Sequence, residues 1–187
     1  MSEIHISDPG NSLERVNKIL GGLGSGNQVF RAVSAAAKRA AQSARAKAGQ
    51  FASEEYFISS GGFKGHVTDK VSVDSGGGSV SVKIEFAGTV IPLIEFQTVV
   101  SNGGVSAHVR KDSGGGMITN AFFGRIGGRT GVYQRAGKDR YPIKKLYSVS
   151  SAHMMQHPEV IEKMDERITE VFTDRIEHEI TRILNGW

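Results

Sequence analysis

The apolar periodicity after Pro158 constrains the fold more than any other feature of this sequence. Apolar residues recur there at every third or fourth position, which predicts one long amphipathic helix. Pro158 suits the first turn of a helix, and Asn185-Gly186 is a typical helix end. A helix of this kind needs a partner for its apolar face, so the rest of the chain must supply one. The stripe comprises Val160, Ile161, Met164, Ile168, Val171, Phe172, Ile176, Ile180, Ile183 and Leu184.

A second long helix is predicted from about Asn27 to Phe51, with an apolar stripe made mostly of alanine. Alanine favours the helix and allows a neighbouring element to approach closely, but it buries little area, so this helix also needs a partner. The glycine-rich stretch "GGLGSG" at 21–26 predicts a hinge between this helix and a shorter one before it. We therefore expect an N-terminal arm and short helix over 1–26 and a single α+β domain over 27–187.

The residues between the helices read as strands. Val80, Val82, Ile84 and Phe86 alternate with polar residues. "SNGG" at 101–104 is a hairpin signal between two further segments, 91–100 and 105–111, which are predicted to be extended and paired. The predicted fold class is α+β, with an antiparallel β-sheet on which the N-terminal helix, broken at its glycine hinge, and the C-terminal helix pack. The predicted core includes Phe86, Ile94, Phe96, Phe122, Val132, Ile143, Ile168, Phe172 and Ile176.

Several function classes find no support in the sequence. The absence of cysteine excludes disulfides and thiolate metal sites. The N-terminus lacks the pattern of a signal peptide, and the longest apolar run, "VIPLIEF", is far too short to span a membrane. The glycine clusters match neither phosphate-loop pattern. His153 and His157 have a metal-ligand spacing but no third ligand nearby, so we expect no metal, no cofactor and no enzymatic activity.

Charge is strongly segregated along the chain. Residues 105–147 contain nine Lys or Arg against two Asp, whereas residues 158–187 contain eight acidic residues against four basic ones. Such polarity suits either head-to-tail self-association or a basic face turned toward a polyanion. A third explanation of the segregated charges is that they simply form ordinary solvated faces.

The basic region centres on the stretch "GVYQRAGKDRYPIKKLY", which predicts a β-hairpin with a basic tip at 137–140. Pro142 has no N–H, so its strand is expected to lie at a sheet edge or to contain a bulge. Its cations can contact phosphates, and Tyr133, Tyr141 and Tyr147 are placed to stack on bases if they are exposed. They can equally face a core, which would leave an ordinary basic surface hairpin. The candidate contact residues, for a protein partner or for DNA, are Arg125, Arg129, Arg135, Lys138, Arg140, Lys144 and Lys145.

The same stretch resembles the phage minor tail protein Z family and related tail-completion proteins. Members carry an R-x-G-K-x-R-x-P-I motif late in the chain, and here it is "RAGKDRYPI", residues 135–143. The lead-in "NAFFGRIGGRTGVYQR" and the following "LYSVSSAHMM" are similar in layout, so the resemblance covers about residues 120–155. The N-terminal extension with its glycine break departs from the pattern. The motif residues with an expected structural role are Gly131, Tyr133, Gly137, Pro142 and Ile143.

The resemblance implies a non-enzymatic virion protein that acts in tail completion and head–tail joining. It further implies a ring, often sixfold, around the DNA channel, with other tail or neck proteins and further copies of the chain as partners. Its expected location is the virion tail, after assembly in the bacterial cytoplasm, with no membrane contact. A nucleic-acid-binding protein that uses the cationic hairpin at 125–145 is the alternative.

Overall fold

The computed structural model describes residues 2–7, 26–76 and 79–185. They form an α+β fold of helices and antiparallel sheets, as predicted. The chain divides into two compact units. The first takes the described parts of Met1–Ala48, Asp69–Phe86 and Ile161–Trp187, and the second takes Gly49–Thr68 and Ala87–Val160. No helix among the described residues has both the length and the apolar character needed to cross a membrane.

The helices begin and end close to the predicted positions. The two long ones are α1 (Gly26–Glu55) and α4 (Pro158–Leu184), and α4 begins at the proline expected in its first turn. Two short helices, α2 (Ser60–Lys64) and α3 (Ser151–Met154), lie between them in the chain. The glycine hinge before Gly26 and the short helix expected ahead of it lie outside the described residues, so the proposed boundary at residue 26 stays a prediction.

The first unit joins parts of both long helices to a three-stranded sheet. Its strands are β1 (Ser2–Ser7), β2 (Val67–Gly76) and β3 (Ser79–Gly88), in the order β1-β3-β2. The alanine stripe of α1 is fully buried at Ala36, Ala40, Ala41 and Ala44, as its need for a partner implied. Further buried apolar side chains lie at 32, 33 and 48 of α1, at 80, 82, 84 and 86 of β3, and at 164, 168, 172 and 176 of α4.

Polar contacts tie α1 to α4 within this unit. The Arg167 guanidinium donates from Nε to Ser43 Oγ over 3.0 Å. Glu179 is almost completely buried, and its carboxylate lies 3.7 Å from Arg39 and 3.3 Å from Arg182. The narrow alanine face of α1 therefore brings the polar ends of long side chains on one helix within reach of the other.

The second unit contains three small antiparallel sheets. The strands β4 (Val90–Pro92) and β11 (Tyr147–Ser150) pair with each other. A second sheet has the order β5 (Gln97–Ser101), β6 (Gly104–His108), β7 (Gly116–Thr119). A third has the order β10 (Ile143–Lys145), β9 (Arg129–Arg135), β8 (Ala121–Ile126). The "SNGG" signal forms the β5–β6 turn, in which Ser101 faces Gly104.

Two local expectations are corrected. The extended segment predicted from Ile91 to Val100 is interrupted by a 3₁₀ turn at Leu93–Glu95, whose Leu93 N–H donates to Leu146 O. Of the predicted core, Ile94, Phe122 and Ile143 are only half-buried, while the other six residues are buried. Ile94 lies in the turn. Phe122 and Ile143 lie in the two outer strands of their sheet, beside β9, whose Val132 and Tyr133 are buried.

Candidate interaction site

The predicted basic hairpin, residues 129–145, is present as β9, β10 and the connecting loop 136–142. Ile143 pairs with Arg135, Lys144 with Gln134, and Lys145 with Tyr133. The loop is closed by a hydrogen bond from Ala136 N–H to Pro142 O of 3.0 Å. Pro142 therefore lies just outside the ladder, where its missing N–H costs no strand pairing, and β10 is an edge strand, as the proline implied.

The third strand, β8, adds Arg125 to this sheet. Phe122 faces Tyr133 and Arg125 faces Thr130 across the β8–β9 pair. All seven predicted contact cations thus belong to one three-stranded sheet and its loop, which we call the basic sheet (residues 121–145). Six of the seven are exposed, and Lys145 is half-buried.

Strand alternation divides these cations between two faces and the loop. Arg129 and Arg135 lie on the same face as Tyr133, because all three occupy alternate positions of β9. Lys145 shares that face, because it lies directly opposite Tyr133. Arg125 and Lys144 lie on the opposite face, the face that also carries the fully buried Val132. Lys138 and Arg140 lie in the loop. The cations therefore do not form one flat row. They lie on both faces of the sheet and in the loop.

Aromatic rings and small residues shape the face that carries Arg135. Arg135 Cζ lies 5.2 Å from the centre of the Phe122 ring, and the rings of Phe122 and Tyr133 lie 6.2 Å apart. A Cβ on Gly131 would lie 2.8 Å from Lys145 Cε and 3.3 Å from Tyr133 Cε2. The missing side chain of Gly131 thus leaves room for the Lys145 stem and the edge of the Tyr133 ring.

Tyr133 has a structural role here. It is 5% exposed, and its hydroxyl donates to Arg129 O over 2.7 Å. A buried and hydrogen-bonded ring cannot stack on a base, so Tyr133 is not one of the tyrosines that could bind nucleic acid by stacking. Tyr141 and Tyr147 are 66% and 50% exposed, beside Arg140 and Lys145 respectively, at 5.7 Å from ring centre to cation in each case.

The loop is open and carries its cations free of acidic partners. Gly137 has nothing within 4 Å of its would-be Cβ, so no packing contact requires a glycine there. Within the part of the chain that the structure describes, none of the seven cations forms an ion pair. Unpaired exposed cations on a folded hairpin remain available to phosphates or to carboxylates of a partner.

The two histidines with a metal-ligand spacing, His153 and His157, lie in different local structures. His153 lies in α3, which ends at Met154, so His157 does not share a helix face with it. His157 is nearly buried, with Nδ1 2.6 Å from Glu159 Oε2 but without the alignment of a hydrogen bond. Among the described residues, no three His, Asp or Glu side chains converge as metal ligands.

A polar cluster that no sequence pattern singles out surrounds Tyr56. Tyr56 is 2% exposed and pairs with Arg110 through an isolated bridge, and its ring packs edge-on against His157 at 5.7 Å. Arg110 also pairs with Asp112. Burial raises the pKa of the Tyr56 hydroxyl, and Arg110 opposes that shift in part. Members that lie this far apart in the chain carry no common local pattern, so only the fold brings them together.

Comparison with known proteins gives no match to this chain among protein families, among curated proteins, or among solved structures.

Proposed function

We propose that this protein is a non-enzymatic structural component of a tailed bacteriophage or prophage that acts in tail completion and head–tail joining. The basic sheet is its docking element. Its partners are neighbouring tail or neck proteins and further copies of itself in a ring around the DNA channel, a ring that is often sixfold in the proteins it resembles. The protein acts in the virion tail after assembly in the host cytoplasm.

The observation that carries this proposal is the placement of the "RAGKDRYPI" motif. Its conformationally special residues, Gly137 and Pro142, lie in an exposed loop, and its cations Arg135, Lys138 and Arg140 are exposed without acidic partners. Exposed like charges without acidic partners add little to the stability of a monomer. A surface held ready for a partner accounts for them.

The second support is an acidic surface that differs from the basic one. Exposed acids recur along α4 at 159, 162, 165, 166, 170, 174 and 177. A ring requires two unlike, complementary surfaces on each subunit, because each interface is heterologous. The basic sheet of one copy and the acidic α4 of the next meet that requirement. DNA in the channel adds a non-specific contact for the remaining cations.

Deletion of the gene from an inducible prophage tests the role. We expect electron micrographs of the lysate to show full heads and unjoined or defective tails. Complementation with Arg135→Glu, Lys138→Glu and Arg140→Glu together should fail, while Lys47→Glu, Lys64→Glu and Lys70→Glu, an equal charge change at exposed sites elsewhere, should restore joined particles. Normal particles from the deletion strain would refute the role, and normal particles from the hairpin variant would refute the docking surface.

Nucleic-acid binding is the second candidate, favoured by the exposed Tyr141 and Tyr147 beside cations. Stacking on aromatic rings together with phosphate contacts gives sequence-tolerant binding that weakens steeply with salt. Fluorescence anisotropy with single-stranded and duplex oligonucleotides across a salt series measures it. Tight binding lost in Tyr141→Ala would favour this candidate, and weak binding at low salt would reject it.

A further inference from the structure

The edge of the sheet β5-β6-β7 at β5 is open and uncharged. Among the described residues β5 pairs only with β6, in a regular register without a bulge. The strand is Gln97-Thr98-Val99-Val100-Ser101, with neither a charge nor a proline. Proteins usually protect an edge strand with lysine, proline or a bulge, because its free N–H and C=O groups invite pairing with another chain.

The edge strands of the basic sheet, unlike β5, are charged. Strand β10 has only three residues and carries Lys144 and Lys145, and the other edge strand, β8, carries Arg125. These strands have the charges that oppose edge-to-edge pairing. β5 has none of them, and its Val99 and Val100 are 56% and 61% exposed.

The register of the hairpin shows which backbone groups are free. A two-residue turn at Asn102-Gly103 makes Ser101 and Gly104 a hydrogen-bonded pair. Such pairs alternate along an antiparallel ladder, so Val99 also bonds inward, to Ser106. Thr98 and Val100 therefore direct their N–H and C=O groups outward, away from β6, and no described group is bonded to them.

We propose that β5 pairs with β5 of a second copy of this chain, antiparallel about a twofold axis at Val99. Thr98 of each copy then faces Val100 of the other, and their outward groups form reciprocal hydrogen bonds. The two Val99 side chains meet directly. Because Val99, Ser106 and Met117 form one row across the sheet, the pairing makes an uncharged row across six strands.

A second copy is favoured over another occupant because the strand complements itself. The twofold pairing satisfies all outward groups of Thr98 and Val100, covers both exposed valines, and opposes no like charges. This contact is separate from the basic sheet and does not depend on a role in phage assembly. Purified full-length protein therefore tests it independently of the prophage experiment.

Cysteine cross-linking gives a sharp test, because the chain has no cysteine of its own. Opposed residues of a non-hydrogen-bonded pair have Cα atoms about 4.5 Å apart, within disulfide range. Val99→Cys should thus form a covalent dimer under mild oxidation. Val100→Cys is the matched control: it is at least as exposed, but its counterpart lies diagonally across the pair, roughly 7 Å or more away.

Analytical ultracentrifugation supplies the second readout. We expect a concentration-dependent dimer whose dissociation constant rises roughly tenfold or more in Val99→Lys, because two lysines would then face each other. Three outcomes would overturn the proposal. The first is a wild-type protein that stays monomeric at all concentrations, and the second is equal cross-linking of Val99→Cys and Val100→Cys. The third is a monomeric Val99→Cys variant whose thiol reacts slowly with a soluble disulfide reagent, since another segment of the same chain would then cover the edge.

Discussion

The Arg135 guanidinium lies over the ring of Phe122, with Cζ 5.2 Å from the ring centre. The two residues are diagonal neighbours, since Phe122 faces Tyr133 across the β8–β9 pair. The contact holds the first cation of the "RAGKDRYPI" motif against the sheet. Lys138, by contrast, lies in the loop and makes no polar contact with the described residues. The motif thus combines a positioned cation with free ones.

The first prediction concerns this contact. Arg135→Ala should lower the free energy of unfolding by about 0.5–1 kcal/mol, the usual worth of an exposed cation–π pair. Lys138→Ala removes the same charge without a contact and should leave stability unchanged within about 0.5 kcal/mol. Urea denaturation of both variants measures the difference. Equal losses would show that net charge, and not the ring contact, sets the effect.

The second prediction concerns close packing at Gly88. A Cβ there would collide with Ser151 Oγ and lie 2.6 Å from His66 O, two atoms that are joined by a 2.8 Å hydrogen bond. Gly88→Ala should therefore cost about 1–3 kcal/mol through overpacking and loss of that bond.

The matched control for Gly88 is Gly61→Ala in α2, where nothing lies within 4 Å of the added carbon. That change should be neutral or stabilising by up to about 1 kcal/mol, because alanine restricts the unfolded chain. Thermal melts of the two variants give the comparison. A melting temperature for Gly88→Ala equal to that of the wild type would contradict the close approach.

The third prediction concerns the buried carboxylate of Glu179. Glu179→Gln removes the negative charge that Arg39 and Arg182 share, and we expect a loss of about 1–2 kcal/mol in unfolding free energy. Glu170 pairs with Arg167 at 2.7 Å but is 63% exposed. Glu170→Gln should accordingly cost no more than about 0.5 kcal/mol. Chemical denaturation at low and moderate salt tests both, and an equal cost for the two variants would argue against a role for burial.

The fourth prediction concerns alkaline pH. Burial raises the folded-state pKa of Tyr56 above its unfolded value near 10, so the neutral hydroxyl is favoured in the folded protein. Its contribution to stability is complete below the unfolded pKa and is lost as pH rises through the higher folded pKa. Unfolding free energy should therefore fall less steeply above pH 10 in Tyr56→Phe than in the wild type. Parallel pH curves for the two proteins would contradict this.

An absorbance titration provides an independent check on Tyr56. The chain has four tyrosines. Because burial raises the pKa of Tyr56, we expect a component that ionises late in the wild type and disappears in Tyr56→Phe. A late component that persists in that variant would assign the raised pKa to another tyrosine.

Local pattern determined much of what is found here. The periodicity after Pro158 predicted α4, because one buried helix face needs apolar residues at that spacing, and the alternation at Val80 to Phe86 predicted β3 for the corresponding reason. The glycine, charge and proline signals of residues 131–143 likewise predicted the basic hairpin and its edge strand. These features depend on neighbours in the chain, so the sequence alone contains the information.

Tertiary structure decided the features that depend on distant residues. The alternation of β9 could not show that Val132 and Tyr133, on opposite faces of the strand, are both buried. Nor could it show that Tyr141, in the loop, is exposed. The break at Leu93–Glu95 depends on Leu146, and the environment of Tyr56 depends on Arg110 and His157. Periodicity indicates only that one face of an element is buried. Which face is buried, which element covers it and which charges lie beside it are decided when segments far apart in the chain pack together.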